Sequence, residues 1–152
     1  MTVSLFGHRI MQNSVAAADR LRRIVNDLLS NEEFVEFLVG RDGDFDLLAA
    51  SIIRTAMQKI NRQNASLILV LPYPRAEIIE NETFFLDYYD DIEICDAAQI
   101  SHYKSAFWIR NRQMIDRSDL VIVCLEYSKG GTARAANYAT HRGIKVLNVA
   151  AE

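Results

Sequence analysis

The chain has 152 residues, half of them hydrophobic and 24% charged, proportions that fit one folded domain over residues 1–152 with a substantial core and exclude a disordered chain. A formal net charge of −3 and a pI near 5.6 argue against a general basic field that recruits nucleic acid or an anionic membrane, although local basic patches are compatible with that balance. No apolar run is long enough to span a bilayer and Met1 to Ile10 has no signal-peptide core, so the expected location is the cytoplasm, with no membrane partner.

Thr2 to Phe6 reads as a short strand ending in Gly7-His8-Arg9. Asn13 or Ser14 can cap a helix over Val15 to Leu29, with Ala18, Leu21, Val25 and Leu28 on one face. Phe34 to Val39 is the second strand, stopped by Gly40-Arg-Asp-Gly-Asp-Phe-Asp46, after which Leu48, Ile52, Ala56 and Ile60 trace the stripe of another helix. Ser66 to Leu71 is the third strand, closed by Pro72-Tyr73-Pro74 because proline cannot continue a central strand. Arg75 to Asp91 is acidic and aromatic with poor periodicity, a short helix or flap. Ile92 to Ile94 makes a brief strand and Ser101 to Arg117 a helix.

Asp119 to Leu125 is an unbroken apolar run with β-branched members. It is followed by Glu126-Tyr-Ser-Lys-Gly-Gly-Thr132 and an alanine-rich helix that ends near Gly143; Ile144 to Val149 is the last strand. Strands alternating with helices predict a Rossmann-like three-layer α/β sandwich on a mostly parallel sheet. In such a sheet ligands sit beyond the carboxyl ends of the strands, so the loops at Gly7, Gly40 and Gly130 share one edge.

The candidate site follows from that edge. Gly130, Gly131 and Thr132 open a helix whose first-turn amides have no intrahelical partner, which suits phosphate or carboxylate. Arg9 and Arg41 supply guanidinium forks, one of Arg110 and Arg112 points inward, and Asn111 can both donate and accept. Asp42, Asp44 and Asp46 alternate as in a calcium loop but lack its terminal glutamate, so helix capping by Asp44 and a first-turn role for Asp46 are the better readings and no metal is expected. Cys95 and Cys124 lack metal-type spacing. His8 and Glu126 are the acid–base candidates if the site is catalytic, each balanced by a plain structural role.

Gly7-His8-Arg9, Gly40-x-x-Gly43-x-Phe45-Asp46, Arg110-Asn111-Arg112-x-Met114 before Ser118-Asp119, and Gly130-Gly131-Thr132 with Ala139 and Gly143 together resemble the YpsA-like branch of the SLOG superfamily, in order over nearly the whole chain. The superfamily also includes hydrolases of the LOG type, DNA-processing proteins of the Smf/DprA type and sensors of cyclic ADP-ribose-like signals. The resemblance implies ligand contacts at Gly40, Gly43, Phe45, Asp46 and Gly130 to Thr132. LOG hydrolases carry Pro-Gly-Gly-x-Gly-Thr-x-x-Glu, and Ala135 stands where that glutamate would be. A methyl group cannot transfer a proton, which favours binding over turnover. The resulting expectation is a sensor or sequestering protein for a nucleotide-derived small molecule, with no further cofactor, a homo-oligomeric state, and nucleic acid an unfavoured partner. The alternative is a nucleoside or nucleotide N-glycosidase or transferase of the LOG type.

Overall fold

The computed structural model describes residues 1–60, 63–99 and 102–151. Strands β1 (Thr2–Gly7), β2 (Val35–Val39), β3 (Ala65–Leu71), β4 (Asp91–Ile94), β5 (Leu120–Cys124) and β6 (Lys145–Asn148) form one sheet in the order β4-β3-β2-β1-β5-β6. Every pairing is parallel, and the architecture is the Rossmann-like α/β sandwich that the alternation of apolar runs predicts.

Parallel strands need crossovers, and helices supply them on both faces. On one face lie α1 (Ser14–Asn31), α2 (Asp44–Lys59), α3 (Ala76–Glu80) and α4 (Glu82–Tyr88), with Leu21, Val25, Phe37, Ile53, Leu69, Phe85 and Tyr89 in a shared core. The other face carries α6 (Tyr103–Asp116) and α7 (Gly131–His141), where Met114, Ile115, Ala135 and Ala139 pack on Leu38, Val70, Val121 and Val123. Short side chains on α7 let its backbone approach the sheet closely. Each fully buried leucine or isoleucine contributes about 1.5–3 kcal/mol through removal from water. A four-residue turn, α5 (Asp96–Gln99), precedes α6 and has no periodicity by which the sequence would announce it.

Several local expectations change. The buried stripe of α2 is Phe45, Ala49, Ala50, Ile52, Ile53, Ala56 and Met57, while Ile60 is 42% exposed; the buried face is broader than the Leu48-to-Ile60 stripe, and Ile60 falls just past the end of the helix at Lys59. Gly43, not Asp44, is its cap residue. Asn13 makes no side-chain cap on α1. The acidic aromatic stretch is two short helices, α3 and α4, which bury Ile78, Phe85 and Tyr89 and leave Phe84 exposed. The expected helix start at Ser101 lies outside the described residues, and α6 opens at Tyr103 with His102 Nδ1 accepting from the Lys104 amide at 3.3 Å. Among the described residues no helix is long and apolar enough to cross a membrane.

Candidate functional site

The chain runs outward from β1 through β2, β3 and β4, then returns to place β5 and β6 on the other side of β1. Strand order therefore reverses between β1 and β5, the place where open parallel sheets bind ligands. Gly7 is level with Cys124 in the pairing of these strands, so the loops that follow them leave side by side. They are tied together. The Glu126 amide donates to His8 Nε2 at 3.0 Å, and the His8 ring stacks on Tyr127 with centroids 3.8 Å apart. The Glu126 carboxylate accepts from the amides of Gln12 and Asn13 at 2.9–3.0 Å.

Beside these loops is a cavity of about 330 Å³. Its lining includes Gly7, His8, Arg9, Gly40, Asp46, Arg110, Asn111, Gly130, Gly131 and Thr132, ten of the residues that the sequence nominates, together with Asp42, Phe107 and Tyr127. Gly130 has φ +93° and ψ −170°, a conformation open essentially to glycine alone. Open space lies beside the Cβ positions of both Gly130 and Gly131. The first-turn amides of α7 have no intrahelical partner, and they begin where the cavity lining passes through Gly130, Gly131 and Thr132.

The floor is ionic. Arg110 is buried; its Nη1 donates to the Val70 carbonyl at 3.0 Å and to Asp42 Oδ2 at 3.4 Å, and its Nε donates to Asn111 Oδ1 at 3.0 Å. Asp42 also pairs with Arg75. Burial lowers the Arg110 pKa, an effect opposed by Asp42 and Asp46. Asp46 accepts from the Asp42 amide at 3.0 Å; burial pushes its carboxyl up to about 6, opposed by that hydrogen bond and by Arg110. Burial likewise holds the His8 imidazole below its ordinary value, opposed by Glu126. Since Nε2 accepts from an amide, the neutral ring carries its proton on Nδ1. Arg9 is exposed at the rim and forms no ion pair with a described residue.

Three of the thirteen nominated ligand contacts do not reach the cavity. Arg41 turns the other way, to Glu77 at 3.3 Å and over the Phe85 ring at 4.7 Å. Gly43 lies against the backbone of Arg9, where a Cβ would be 2.4 Å from its Cα. Phe45 is fully buried beneath Gly7, so the glycine at the end of β1 makes room for a core ring and not for a guest. Tyr73 meets Phe107 edge-on at 5.8 Å and packs near Cys95 and Ala106. Glu126 spends both carboxylate oxygens on loop amides, and Ala135 is buried against the sheet. Asp42, Phe107 and Tyr127 are the lining members that sequence reasoning missed; the signal for Asp42 was present in the alternating aspartates, which were weighed only as a metal loop or as caps. A larger groove of about 580 Å³ runs along β6 beside Arg20 and Arg23, yet no strand-end loop of the switch point reaches it.

No family model matches the chain, and no curated protein does either. Among solved structures it is similar to DNA processing protein A (DprA) from Streptococcus pneumoniae, at 18% identity over 95% of this chain and 48% of that one, with a TM-score of 0.64. It is equally similar to DNA processing protein A from Helicobacter pylori, a structure concerned with that protein's single-stranded DNA binding mode, at 18% identity over 96% of this chain and 63% of that one, TM-score 0.64. The chain thus spans about half to under two thirds of these structures, and what it shares with them is the fold. Both are DNA-processing proteins, and neither likeness reaches the YpsA-like branch that the motifs suggest.

That finding corrects the functional expectation. The neighbours are DNA-processing proteins, one of them a binder of single-stranded DNA, where a nucleotide-signal sensor or a LOG-type N-glycosidase was expected and nucleic acid was set aside. The error has a physical source in the averaged charge. Residues 103–145 hold eight Lys/Arg against three Asp/Glu, a balance of +5, while the rest of the chain holds nine against seventeen, a balance of −8. A net value of −3 conceals a basic segment that includes α6 and α7.

Proposed function

We propose that this chain binds single-stranded DNA across the rim between β1 and β5. The observation that supports it best is the start of α7: the space beside Gly130 and Gly131 is open at the switch point, and a helix N-terminus attracts phosphate through its unpartnered amides and its dipole. Arg9 adds an exposed guanidinium at the same rim. Asn111 and Asp46 are acceptors for amino groups on a base edge, and His8 Nδ1–H is a donor. The single-stranded DNA binding of the H. pylori neighbour, which has the same fold, adds weight. On the order of its motifs we assign the chain to the YpsA-like branch, acting in the cytoplasm as one domain.

Fluorescence anisotropy of a labelled oligothymidylate, titrated at several salt concentrations, tests the reading. With two or three phosphates held, log K falls against log salt with a slope of about −1.4 to −2, since each single-strand contact contributes about 0.7. Absence of binding at low salt, or an oligonucleotide held no better than a free mononucleotide, refutes it.

A further inference from the structure

A second cluster lies outside the cavity, on the outer side of α6 and α7. The Arg134 guanidinium carbon stands 3.9 Å from the centroid of the Trp108 ring. Tyr138 meets Trp108 edge-on at 5.5 Å, and Arg112 lies over Tyr138 at 5.8 Å. Trp108 and Arg112 are one turn apart on α6, as Arg134 and Tyr138 are on α7, so the four groups alternate cation and ring along the seam between the helices. Phe107 and Thr132, on the same turns as Trp108 and Arg134, line the cavity, so both helices of the seam lead away from the rim. It runs about 12 Å down α7 from Gly130 to Tyr138 at 1.5 Å per residue.

Such a cluster can simply fasten one helix to the other. Two observations point further. Arg112 and Arg134 are exposed and form no ion pair among the described residues, whereas Arg142 close by is paired with Asp116 at 3.4 Å. Residues 103–145, which build these helices, also carry a balance of +5. Exposed guanidinium planes stacked on rings, within a basic strip, form the surface that a single strand uses: phosphates follow the cations and bases lie on flat groups.

Building on the rim reading, we infer that the Arg134–Trp108–Tyr138–Arg112 seam is the path by which single-stranded DNA leaves the rim. The first base beyond the rim stacks on the outer face of the Arg134 guanidinium, which Trp108 backs from beneath, and Arg112 meets a later phosphate. Specificity is for a flexible single strand, because a duplex cannot splay its bases onto such a surface.

Trp108 is the chain's single tryptophan, so its emission reports on this seam alone. Oligothymidylates of about 4 and about 12 nucleotides, spanning the site sizes of single-strand binders, are titrated against the parent chain and against Arg112→Gln/Arg134→Gln. The longer strand is expected to change Trp108 emission and to bind the parent about tenfold more tightly than the shorter one. The double substitution, at exposed positions, removes that gain and flattens the salt slope while leaving the short strand unaffected. Trp108→Phe keeps a ring beneath Arg134 and is expected to retain most of the gain by anisotropy. Equal affinities for the two lengths, with emission unchanged, overturn the seam while leaving the rim reading intact. Failure of either length to bind removes the rim reading, and the seam with it.

Discussion

Gly7 and Phe45 are in direct steric exchange: a β-carbon on Gly7 would fall 2.2 Å from Phe45 Cγ, closer than any real contact. The ring is fully buried and on the first turn of α2, so neither partner has room to yield. Gly7→Ala is therefore expected to destabilise the fold by about 1–3 kcal/mol, the range for overpacking a close-fitted core. Urea unfolding monitored by circular dichroism checks it. A midpoint equal to the parent's would mean that α2 slides freely on β1.

Gly131 offers the opposite case, since a side chain there meets open space. Gly131→Asp places a carboxylate at the start of α7, which favours the helix by about 0.3–1 kcal/mol but repels phosphate. Stability is expected to hold or rise while oligothymidylate affinity drops at least tenfold. If affinity survives, the anion does not sit on that turn.

Gly130, by contrast, is conformationally constrained. At φ +93° and ψ −170°, Gly130→Ala costs about 1–3 kcal/mol even with free space around it. Thermal unfolding of the two variants side by side separates backbone strain from loss of binding.

Glu126→Ala is expected to lower stability by about 1–3 kcal/mol, because two loop amides lose a charged acceptor. Glu126→Gln, which retains one acceptor oxygen, falls between parent and alanine. A variant as stable as the parent would show that the clasp between the loops after β1 and β5 contributes nothing.

Asp46 predicts a pH dependence of definite sign. Its native carboxyl titrates at about 6 against 3.8 unfolded, so the folded chain binds more protons between those values. The contribution of this group is complete below pH 3.8 and is lost as pH rises to about 6, at most about 3 kcal/mol. His8, held below 6.5 by burial, acts in the reverse sense: its contribution is complete above pH 6.5 and fades below it. Comparing Asp46→Asn with the parent at each pH isolates the carboxyl. The difference in urea midpoint between variant and parent is expected to shift in the variant's favour from pH 4 to pH 7, and an unvarying difference would contradict a raised pKa.

The strands were legible because a parallel strand buried on both faces must be an uninterrupted apolar run, as at Leu120–Cys124 and Ala65–Leu71. The common edge of the Gly7, Gly40 and Gly130 loops followed from that alternation alone. Which arginine turns inward did not. Arg41 and Arg110 look alike in one dimension, and only packing reveals that Phe85 and Glu77 take the first while Val70 and Asp42 hold the second. Phe45 was misread for a related reason: an aromatic two residues past a glycine suits a ligand contact as well as a core plug. Summing charge over the chain erased its segregation into a basic 103–145 segment and an acidic remainder.

The side-chain amide of Asn148 grips the loop after β5 from two directions, accepting from the Leu125 and Ala150 amides at 3.0 Å and donating to the Leu125 carbonyl at 3.2 Å. The turn that leads to Gly130 is thereby cast before any guest arrives. On the reading proposed above, the protein's side of the rim has little left to order when a strand docks, so association is expected to follow encounter, steered by the basic flank.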